Sequence, residues 1–224
     1  MTTLEDLRTD VRSHVDESIA VFWTDTELDR WVNEALREVG RRTETIQRQK
    51  SYTVVSGQEA YTLPDDMLRI YRVEYRRTTD YIQPLEFRPF NEMDSIWGFS
   101  RTAGGASPEY YSIWSYPGEG GQGLYIYPIP QENINDGLRV FYYAVPRNLE
   151  ADDDVAEIPA GWEDLVPLYV EYTARRKEAS DNRWREAYEL FETRLKEMLK
   201  TTRNWSDQQN FFVHETGMSG EDWF

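Results

Sequence analysis

Two histidines and 41 carboxylates are the residues of this 224-residue sequence with the side chains for acid–base or metal chemistry. His14 lies on or beside the apolar face of a predicted first helix, which favours a partly buried structural histidine. His214 lies in the terminal segment, where we expect a solvated or interface position. Two histidines are too few for a three-histidine zinc site, and no H-E-x-x-H motif occurs. The absence of cysteine excludes disulfides, thiolate metal sites and a cysteine nucleophile.

Motifs of nucleophilic and phosphate chemistry do not occur. The sequence has neither the G-x-S-x-G turn of hydrolases nor the G-x-x-x-x-G-K-[ST] loop of nucleotide-binding proteins. The glycines between positions 118 and 123 precede a predicted strand, so they indicate a hairpin loop instead of a phosphate cradle. The acidic run 152–154, with Glu150 and Glu157 nearby, lacks the spacing of a calcium loop and predicts a solvated acidic loop. We therefore predict no cofactor, no bound metal and no enzymatic activity.

Aromatic side chains in the middle of the chain permit one alternative. Together with acidic residues they would suit a carbohydrate-binding or glycan-cleaving module of a receptor-binding apparatus. The aromatics concerned are Tyr110, Tyr111, Trp114, Tyr116, Tyr125 and Tyr127. Alternating aromatics on strands are more typical of a sheet that packs against its neighbour. The sugar-binding function therefore stays an alternative to a structural one.

Composition and charge narrow the class further. The formal charge is −16, and the acidic excess is spread along the chain without any basic segment. Tight wrapping of nucleic acid needs clustered Lys and Arg, so we do not expect it. Aromatic residues reach 14 %, with 15 Tyr and 8 Trp, the residue types that are enriched where proteins meet. The N-terminus is charged, so we predict no signal peptide. No apolar run reaches 18 residues, so we predict no membrane span. The lack of cysteine favours folding in a reducing cytosol.

Helices are predicted at both ends of the chain. Thr3 and Asp6 begin the first helix, and Thr24 with Glu27 forms a capping box for the second. The second helix carries one continuous apolar stripe: Leu28, Trp31, Val32, Ala35, Leu36 and Val39. Near the C-terminus, Pro167 is tolerated only in a first turn, so a third helix begins near Val166. A short polar turn at 179–182 leads to a fourth helix over 183–202, which predicts an antiparallel helix hairpin.

The middle of the chain predicts a sheet. Strands are expected at 51–55, 60–63, 68–77, 109–114, 124–127 and 138–145, with a short helix over 90–97. The change of parity near Ile70 predicts a bulge. Turns are expected at 56–57, 104–105, 117–123 and 135–137. The strand 138–145 is apolar on both sides, so we expect both its faces to be covered.

These elements define an α+β fold in which N- and C-terminal helix pairs pack as a helical bundle and an antiparallel β-rich domain is inserted between them. The predicted parts are 1–50 and 148–204 for the two halves of the helical part, 51–147 for the insert and 205–224 for an extended C-terminal tail. The tail has no Lys or Arg and no clear period. Its aromatics are the predicted partner-binding residues: Trp205, Phe211, Phe212, Trp223 and Phe224.

The order of several segments resembles the head–tail adaptor, or connector, proteins of tailed bacteriophages. The resemblance is carried by FWTDTELDRWVNEALREV at 22–39, YTVVSGQEAYTLPDDMLRIYRVEY at 52–75, PLEFRPFNEMDSIW at 84–97, PEYYSIW at 108–114, GLYIYPIP at 123–130, the long stretch 138–178 and the helix 183–202. It covers roughly residues 1–204. The order of these motifs carries the resemblance, because none of them is diagnostic alone.

The resemblance implies a virion protein, assembled in the host cytoplasm and located at the portal vertex. It implies a homo-oligomeric ring, usually of twelve copies, that joins the portal protein to a tail or nozzle protein. DNA would pass transiently through its lumen without a specific site, and an acidic wall would repel phosphate so that DNA slides. No catalytic residue is implied. A different virion part, such as a tail-completion protein, is a further alternative.

Overall fold

The computed structural model describes residues 2–17, 22–78, 81–92, 107–115, 122–178 and 183–215, with side chains described as far as residue 202. The chain divides into two compact units. The helical unit comprises Met1–Ile46 and Pro146–Phe224, and the strand unit comprises Gln47–Val145. Helices and sheets are both present, so the predicted α+β class is confirmed.

The described residues of the helical unit form four helices: α1 (Leu4–His14), α2 (Asp25–Thr43), α3 (Leu165–Glu178) and α4 (Arg183–Glu215). Thr3 and Asp6 begin α1 with a reciprocal capping box, as predicted. Thr24 caps α2 by accepting a hydrogen bond from the backbone N–H of Glu27. The carboxylate of Glu27 pairs with Lys177 of α3, which differs from the reciprocal box expected at this end.

The helices share an apolar core. All six residues of the predicted α2 stripe are buried. Residues from α1, α2 and α3 form one cluster, which includes Leu7, Trp31 and Val170. A second cluster joins α2, α3 and α4 through Val39, Leu165, Phe191, Leu195 and Met198. Helix α3 begins one residue before the predicted start, which places Pro167 in its first turn, where no intrahelical N–H is required.

The strand unit contains β1 (Gln47–Val54), β2 (Ala60–Thr62), β3 (Met67–Arg76), β4 (Ile82–Pro84), β5 (Glu86–Phe87), β6 (Tyr110–Ser115), β7 (Gln122–Tyr127) and β8 (Ile134–Ala144). They form two four-stranded sheets, in the orders β1-β8-β3-β4 and β2-β7-β6-β5. Neighbouring strands are antiparallel, except that β5 and β6 are parallel. Strands β4 and β5 were not predicted, because three and two residues are too short for a visible period.

Two details of β8 correct the sequence prediction. Residues 135–137, predicted as a turn, lie inside this strand, where the register with β1 shifts between Tyr52 and Val54. Asp136 has φ +54°, and a Cβ on Gly137 would lie 2.9 Å from Ile134 and Val54. The residue types that are typical of turns therefore occur here because the strand is irregular at this point. One face of β8 is buried, whereas the other is only half-buried, so the expectation of two covered faces is wrong.

Of the remaining predictions, some are confirmed, some are corrected and some lie outside the described residues. The turn at 56–57 is confirmed, with Gly57 at φ +80°. Of the short helix expected over 90–97, residues 90–92 are helical and the rest lie outside the described residues, as do 104–105 and most of 117–123. Helix α4 is longer than expected, since its backbone stays helical to Glu215 and the extended conformation expected from residue 205 does not apply to 205–215. Residues 216–224 lie outside the described part of the chain.

Candidate partner-binding surfaces

A bulge in β3 brings two consecutive side chains to the same side of the first sheet. The register with β8 shifts between Ile70 and Arg72, so Tyr71 is the extra residue and lies beside Arg72 opposite Phe141. Ile70 is buried, whereas Tyr71 and Arg72 are exposed. The parity change in the sequence therefore indicated a bulge correctly, and its consequence is a doubled row of large side chains on the outer face.

The rings on this outer face contact one another. The centroid of Tyr71 lies 5.1 Å from that of Tyr143 and 6.1 Å from that of Phe141. The guanidinium carbon of Arg69 lies 4.9 Å from the centre of the Tyr143 ring, within the range of a cation–π contact. Tyr71 keeps 41 % of its surface exposed. We call this surface the aromatic–arginine face; its members are Arg69, Tyr71, Arg72, Arg139, Phe141 and Tyr143.

Carboxylates fix several arginines of this face. Arg72 contacts Glu74 at 2.6 Å through Nε, and its side chain remains 50 % exposed. Arg139 donates to Asp136, and Arg76 approaches the same carboxylate at 3.4 Å. The hydrogen bond from Arg139 is the main reason that the pKa of Asp136 lies below its ordinary value. The arginines are thereby held in fixed positions around the rings.

Helix α4 of the helical unit presents a surface with carboxylates and an exposed leucine, in contrast to the arginines and rings of the aromatic–arginine face. Ala187, Phe191, Leu195 and Met198 face the core. The helix period places Glu186, Glu189, Leu190, Thr193 and Glu197 on the outer side, where the exposed Lys196 and Lys200 follow toward the C-terminus. Leu190 is 59 % exposed, the second most exposed of the large apolar side chains after Phe22 among the described residues. Glu186 and Glu189 have no ion-pair partner in the described part of the chain. We call this surface the α4 outer stripe; its members are Glu186, Glu189, Leu190, Thr193 and Glu197.

An ion pair holds α4 against α2 on the inner side. Both terminal nitrogens of Arg42 contact the carboxylate of Glu192, at 2.5 and 3.0 Å. This bidentate pair lowers the pKa of Glu192 and raises that of Arg42. Tyr188 also bonds Glu192, which raises the pKa of the tyrosine. The inner side of α4 thus contacts its own chain, whereas Leu190 on the outer stripe is mostly exposed.

The predicted partner-binding residues are placed only in part. Trp205, Phe211 and Phe212 belong to the backbone of α4, but their side chains lie outside the described part. Trp223 and Phe224 lie outside the described residues altogether. The aromatic–arginine face was not predicted from the sequence, although Arg69, Tyr71 and Arg72 surround the bulge that was predicted near Ile70.

The aromatics considered for sugar binding lie mostly inside the strand unit. Tyr125 and Tyr127 are 2 % and 1 % exposed, and Tyr111 is buried as well. Tyr110 is half-buried against the cluster of Tyr125 and Tyr127. Trp114 is 44 % exposed and stacks 4.6 Å from Phe90, while Tyr116 lies outside the described residues. These rings therefore pack a sheet, and no row of them is presented to a glycan in the described part.

An open groove of about 650 Å³ lies in the strand unit, lined by residues that include Lys50, Tyr52, Tyr61 and Asp65. The Tyr52 hydroxyl donates to the carbonyl oxygen of Thr62 at 2.7 Å, and burial raises the pKa of Tyr52 to about 12. A tyrosine that stays protonated and is already bonded to the backbone cannot serve as a general base at neutral pH.

The acidic run docks onto the start of α1. The backbone carbonyls of Asp154 and Asp152 accept hydrogen bonds from the N–H groups of Leu4 and Glu5, at 3.0 and 3.1 Å. Asp152 also bonds Arg8 at 2.8 Å. The carboxylate of Asp154 accepts from two backbone N–H groups, of Ala151 and Glu150, which lowers its pKa. The run therefore closes a turn against the helix N-terminus, and no group of metal-ligating side chains occurs among the described residues.

His14 is more exposed than predicted. Its side chain is 40 % exposed, and Nδ1 lies 3.5 Å from Oε2 of Glu171 on α3. The expectation of a partly buried structural histidine is therefore wrong, because α1 ends at this residue and turns it toward the surface. The side chain of His214 lies outside the description.

The aromatic–arginine face thus exposes tyrosine and arginine, two residue types that are enriched at protein interfaces. The chain belongs to the SU10 adaptor protein family, whose model matches residues 2–211. The predicted resemblance to phage head–tail adaptors is confirmed, and family membership implies a structural, non-enzymatic virion component. None of the curated proteins matches the chain. The family match extends beyond residue 204, so it includes Trp205 and Phe211 but ends before Phe212.

No described helix is both long enough and apolar enough to cross a lipid bilayer.

Proposed function

We propose that this chain is a head–tail adaptor that forms a homo-oligomeric ring, joins the portal protein to a tail or nozzle protein, and surrounds the passage through which DNA leaves the particle. The observation that carries the proposal is the family match over residues 2–211. A ring of twelve copies at the portal vertex is the arrangement that we expect. In it the two helix pairs pack as a bundle, with the β-rich insert directed toward the tail.

Charge supports the passage of DNA. The helical unit carries 29 acidic and 16 basic residues, whereas the strand unit carries 12 and 9. A lumen lined by an acidic unit repels phosphate, so DNA would move through it without specific contacts. A chain of this charge would itself bind duplex DNA weakly.

Partner docking is assigned to the C-terminal aromatics: Trp205, Phe211, Phe212, Trp223 and Phe224. Residues 205–224 hold four acidic and no basic side chains, so their aromatic groups would insert into a partner whose surface is apolar and basic. Truncation after Asn204 would remove all five aromatics and leave the described core residues in place.

Purified full-length chain mixed with portal rings tests the proposal. We expect the chain to co-sediment with portal rings and to appear in electron micrographs as an added ring. The chain truncated after Asn204 should retain its helical circular dichroism and lose co-sedimentation. A full-length chain that remains monomeric and does not bind portal rings would refute the adaptor function. A truncated chain that still binds would refute only the role of the C-terminal aromatics.

A further inference from the structure

The aromatic–arginine face and the α4 outer stripe have complementary chemistry. The face holds three rings surrounded by arginines, among which Arg72 has a half-exposed side chain whose contact with Glu74 uses Nε. The stripe holds one strongly exposed leucine between carboxylates, of which Glu186 and Glu189 have no ion-pair partner in the described residues. An exposed leucine gains by burying its apolar surface against aromatic rings, and a carboxylate can accept hydrogen bonds from the terminal nitrogens of a guanidinium.

Neither surface complements itself. In a two-fold pairing a residue meets a different residue of the other copy, so two stripes would bring together the carboxylates of Glu186, Glu189 and Glu197, and two faces would bring together the guanidinium groups of Arg69, Arg72 and Arg139. Like charges placed opposite each other across an interface disfavour association. A symmetric pairing of identical surfaces is therefore disfavoured for both, whereas a pairing of face with stripe brings opposite charges together.

We propose that copies of this chain associate head to tail, with the aromatic–arginine face of one copy receiving the α4 outer stripe of the next. The proposal rests on the ring proposed above and names the surfaces that build it. A contact between two different surfaces repeats from copy to copy, and it closes into a ring when the rotation between copies allows closure. Leu190 would be the apolar anchor, and Glu186 and Glu189 would meet Arg72 and its neighbours.

Nucleic acid fits the face less well. Tight binding of duplex DNA needs clustered Lys and Arg that displace counterions, whereas here Glu74 and Asp136 already neutralise part of the guanidinium charge and aromatic rings occupy the centre of the face. Aromatic groups together with arginines held by carboxylates are typical of the centre of a protein interface. Duplex DNA is therefore the alternative ligand for this face, and the experiment must distinguish it from a second copy of the chain.

Two charge-reversed variants test the pairing. Arg72→Glu makes the face acidic, and the double variant Glu186→Arg/Glu189→Arg makes the stripe basic. Each variant alone should need at least roughly tenfold more protein to form rings on portal, since a central charge pair becomes a repulsion. An equimolar mixture should assemble like the wild type, because an acidic face then meets a basic stripe and a native face meets a native stripe in alternation.

Matched controls make the outcome specific. Arg77→Glu makes the same change of charge in the same unit, and the Arg77 side chain is 51 % exposed, against 50 % for Arg72. This control variant should assemble like the wild type. Leu190→Asp tests the apolar anchor without altering an arginine and should also prevent assembly. Circular dichroism of every variant should match that of the wild type. A variant that fails to fold is replaced by Arg72→Gln or Leu190→Ser, with the same loss expected in a weaker form.

The possible failures are distinguishable. If the wild type forms no ring on portal, the proposed adaptor function fails. If the wild type forms rings and Arg72→Glu does so equally well, or if the mixture of variants is not rescued, the head-to-tail pairing is refuted. If Arg72→Glu assembles normally but loses binding to duplex DNA in a mobility-shift assay, the face is a nucleic-acid site instead.

Discussion

The helical unit and the strand unit use the same residue types for different purposes. In the helical unit arginines and carboxylates join one helix to another, as Arg8 does with Asp29 and Arg42 with Glu192. In the strand unit Arg72, Arg139 and their partners belong to an exposed sheet face and surround three aromatic rings. The former pairs fix the fold, whereas the latter fix the positions of groups that remain accessible. Charge content alone therefore does not distinguish the two units, whereas the exposure of the aromatic rings beside the ion pairs does.

The largest effect on stability is expected from Phe191, which is 1 % exposed and belongs to the cluster that joins three helices. Phe191→Ala should lower the free energy of unfolding by about 3–5 kcal/mol, because it removes buried apolar surface and leaves a cavity. The adjacent Leu190→Ala, on the outer stripe, should change it by less than about 0.5 kcal/mol. Urea titrations followed by circular dichroism measure both values. Equal losses would contradict the assignment of inner and outer sides of α4.

A smaller loss is expected at the ion pair between α2 and α4. Glu192→Gln should cost about 1–2 kcal/mol, because Arg42 is left with a weaker partner in a partly buried position. The folded-state pKa of Glu192 lies below its ordinary value of 4.5, so the ionised form is the one that stabilises the fold. This contribution is complete above pH 4.5 and disappears as the pH falls through the lower, folded-state value.

Unfolding of the wild type and of Glu192→Gln at a series of pH values checks this dependence. The difference between the two proteins should be constant near neutral pH and shrink in acid. A difference that grows in acid would contradict the sign of the pKa shift. Lys200→Gln, at an exposed position on the same helix and not among the groups that shift the pKa of Glu192, serves as the control and should show no such trend.

The first helix provides a still smaller effect. The Thr3 hydroxyl accepts from the backbone N–H of Asp6, and the Asp6 carboxylate accepts in return from the backbone N–H of Thr3. Thr3→Ala should lower the free energy of unfolding by about 1 kcal/mol, while Thr3→Ser should nearly preserve it. Thermal unfolding of the two variants compares them directly. An equal loss in both would indicate that the methyl group matters and the cap does not.

The smallest effect on stability, with the largest expected effect on binding, belongs to Tyr71. Tyr71→Ser should lower the free energy of unfolding by only about 0.5–1 kcal/mol, because the ring contacts Tyr143 and Phe141 but keeps 41 % of its surface exposed. The same variant should assemble poorly on portal rings. Tyr125→Ser, at a 2 % exposed position, should show the opposite order and unfold readily. Comparing Tyr71→Ser with Tyr125→Ser therefore separates a tyrosine that contributes to assembly from one that contributes to the core of the strand unit.

Local signals in the sequence predicted much of the fold. The hydroxyl of Thr24 at the start of α2, the apolar stripe behind it and the position of Pro167 all depend on neighbouring residues, and all three were predicted correctly. The bulge near Ile70 was also predicted, because a change of parity in the sequence moves side chains to the other face.

The remaining features depend on residues distant in sequence. The Asn-Asp-Gly segment at 135–137 predicts a turn locally, but pairing with β1 keeps it inside β8. The exposure of one side of β8 depends on what packs against the sheet, which periodicity does not reveal. Helix α4 continues to Glu215 although its later residues show no clear apolar period. The aromatic–arginine face was missed for the same reason, because β3 and β8 contribute to it from positions about 70 residues apart.

Direct imaging of this chain bound to its portal ring tests the central claim most simply. Image reconstruction of the mixture should show a closed ring of this chain beneath the portal, with every copy touching two neighbours. Particles in which the chain is absent, or is bound as isolated copies without contacts to one another, would contradict the account.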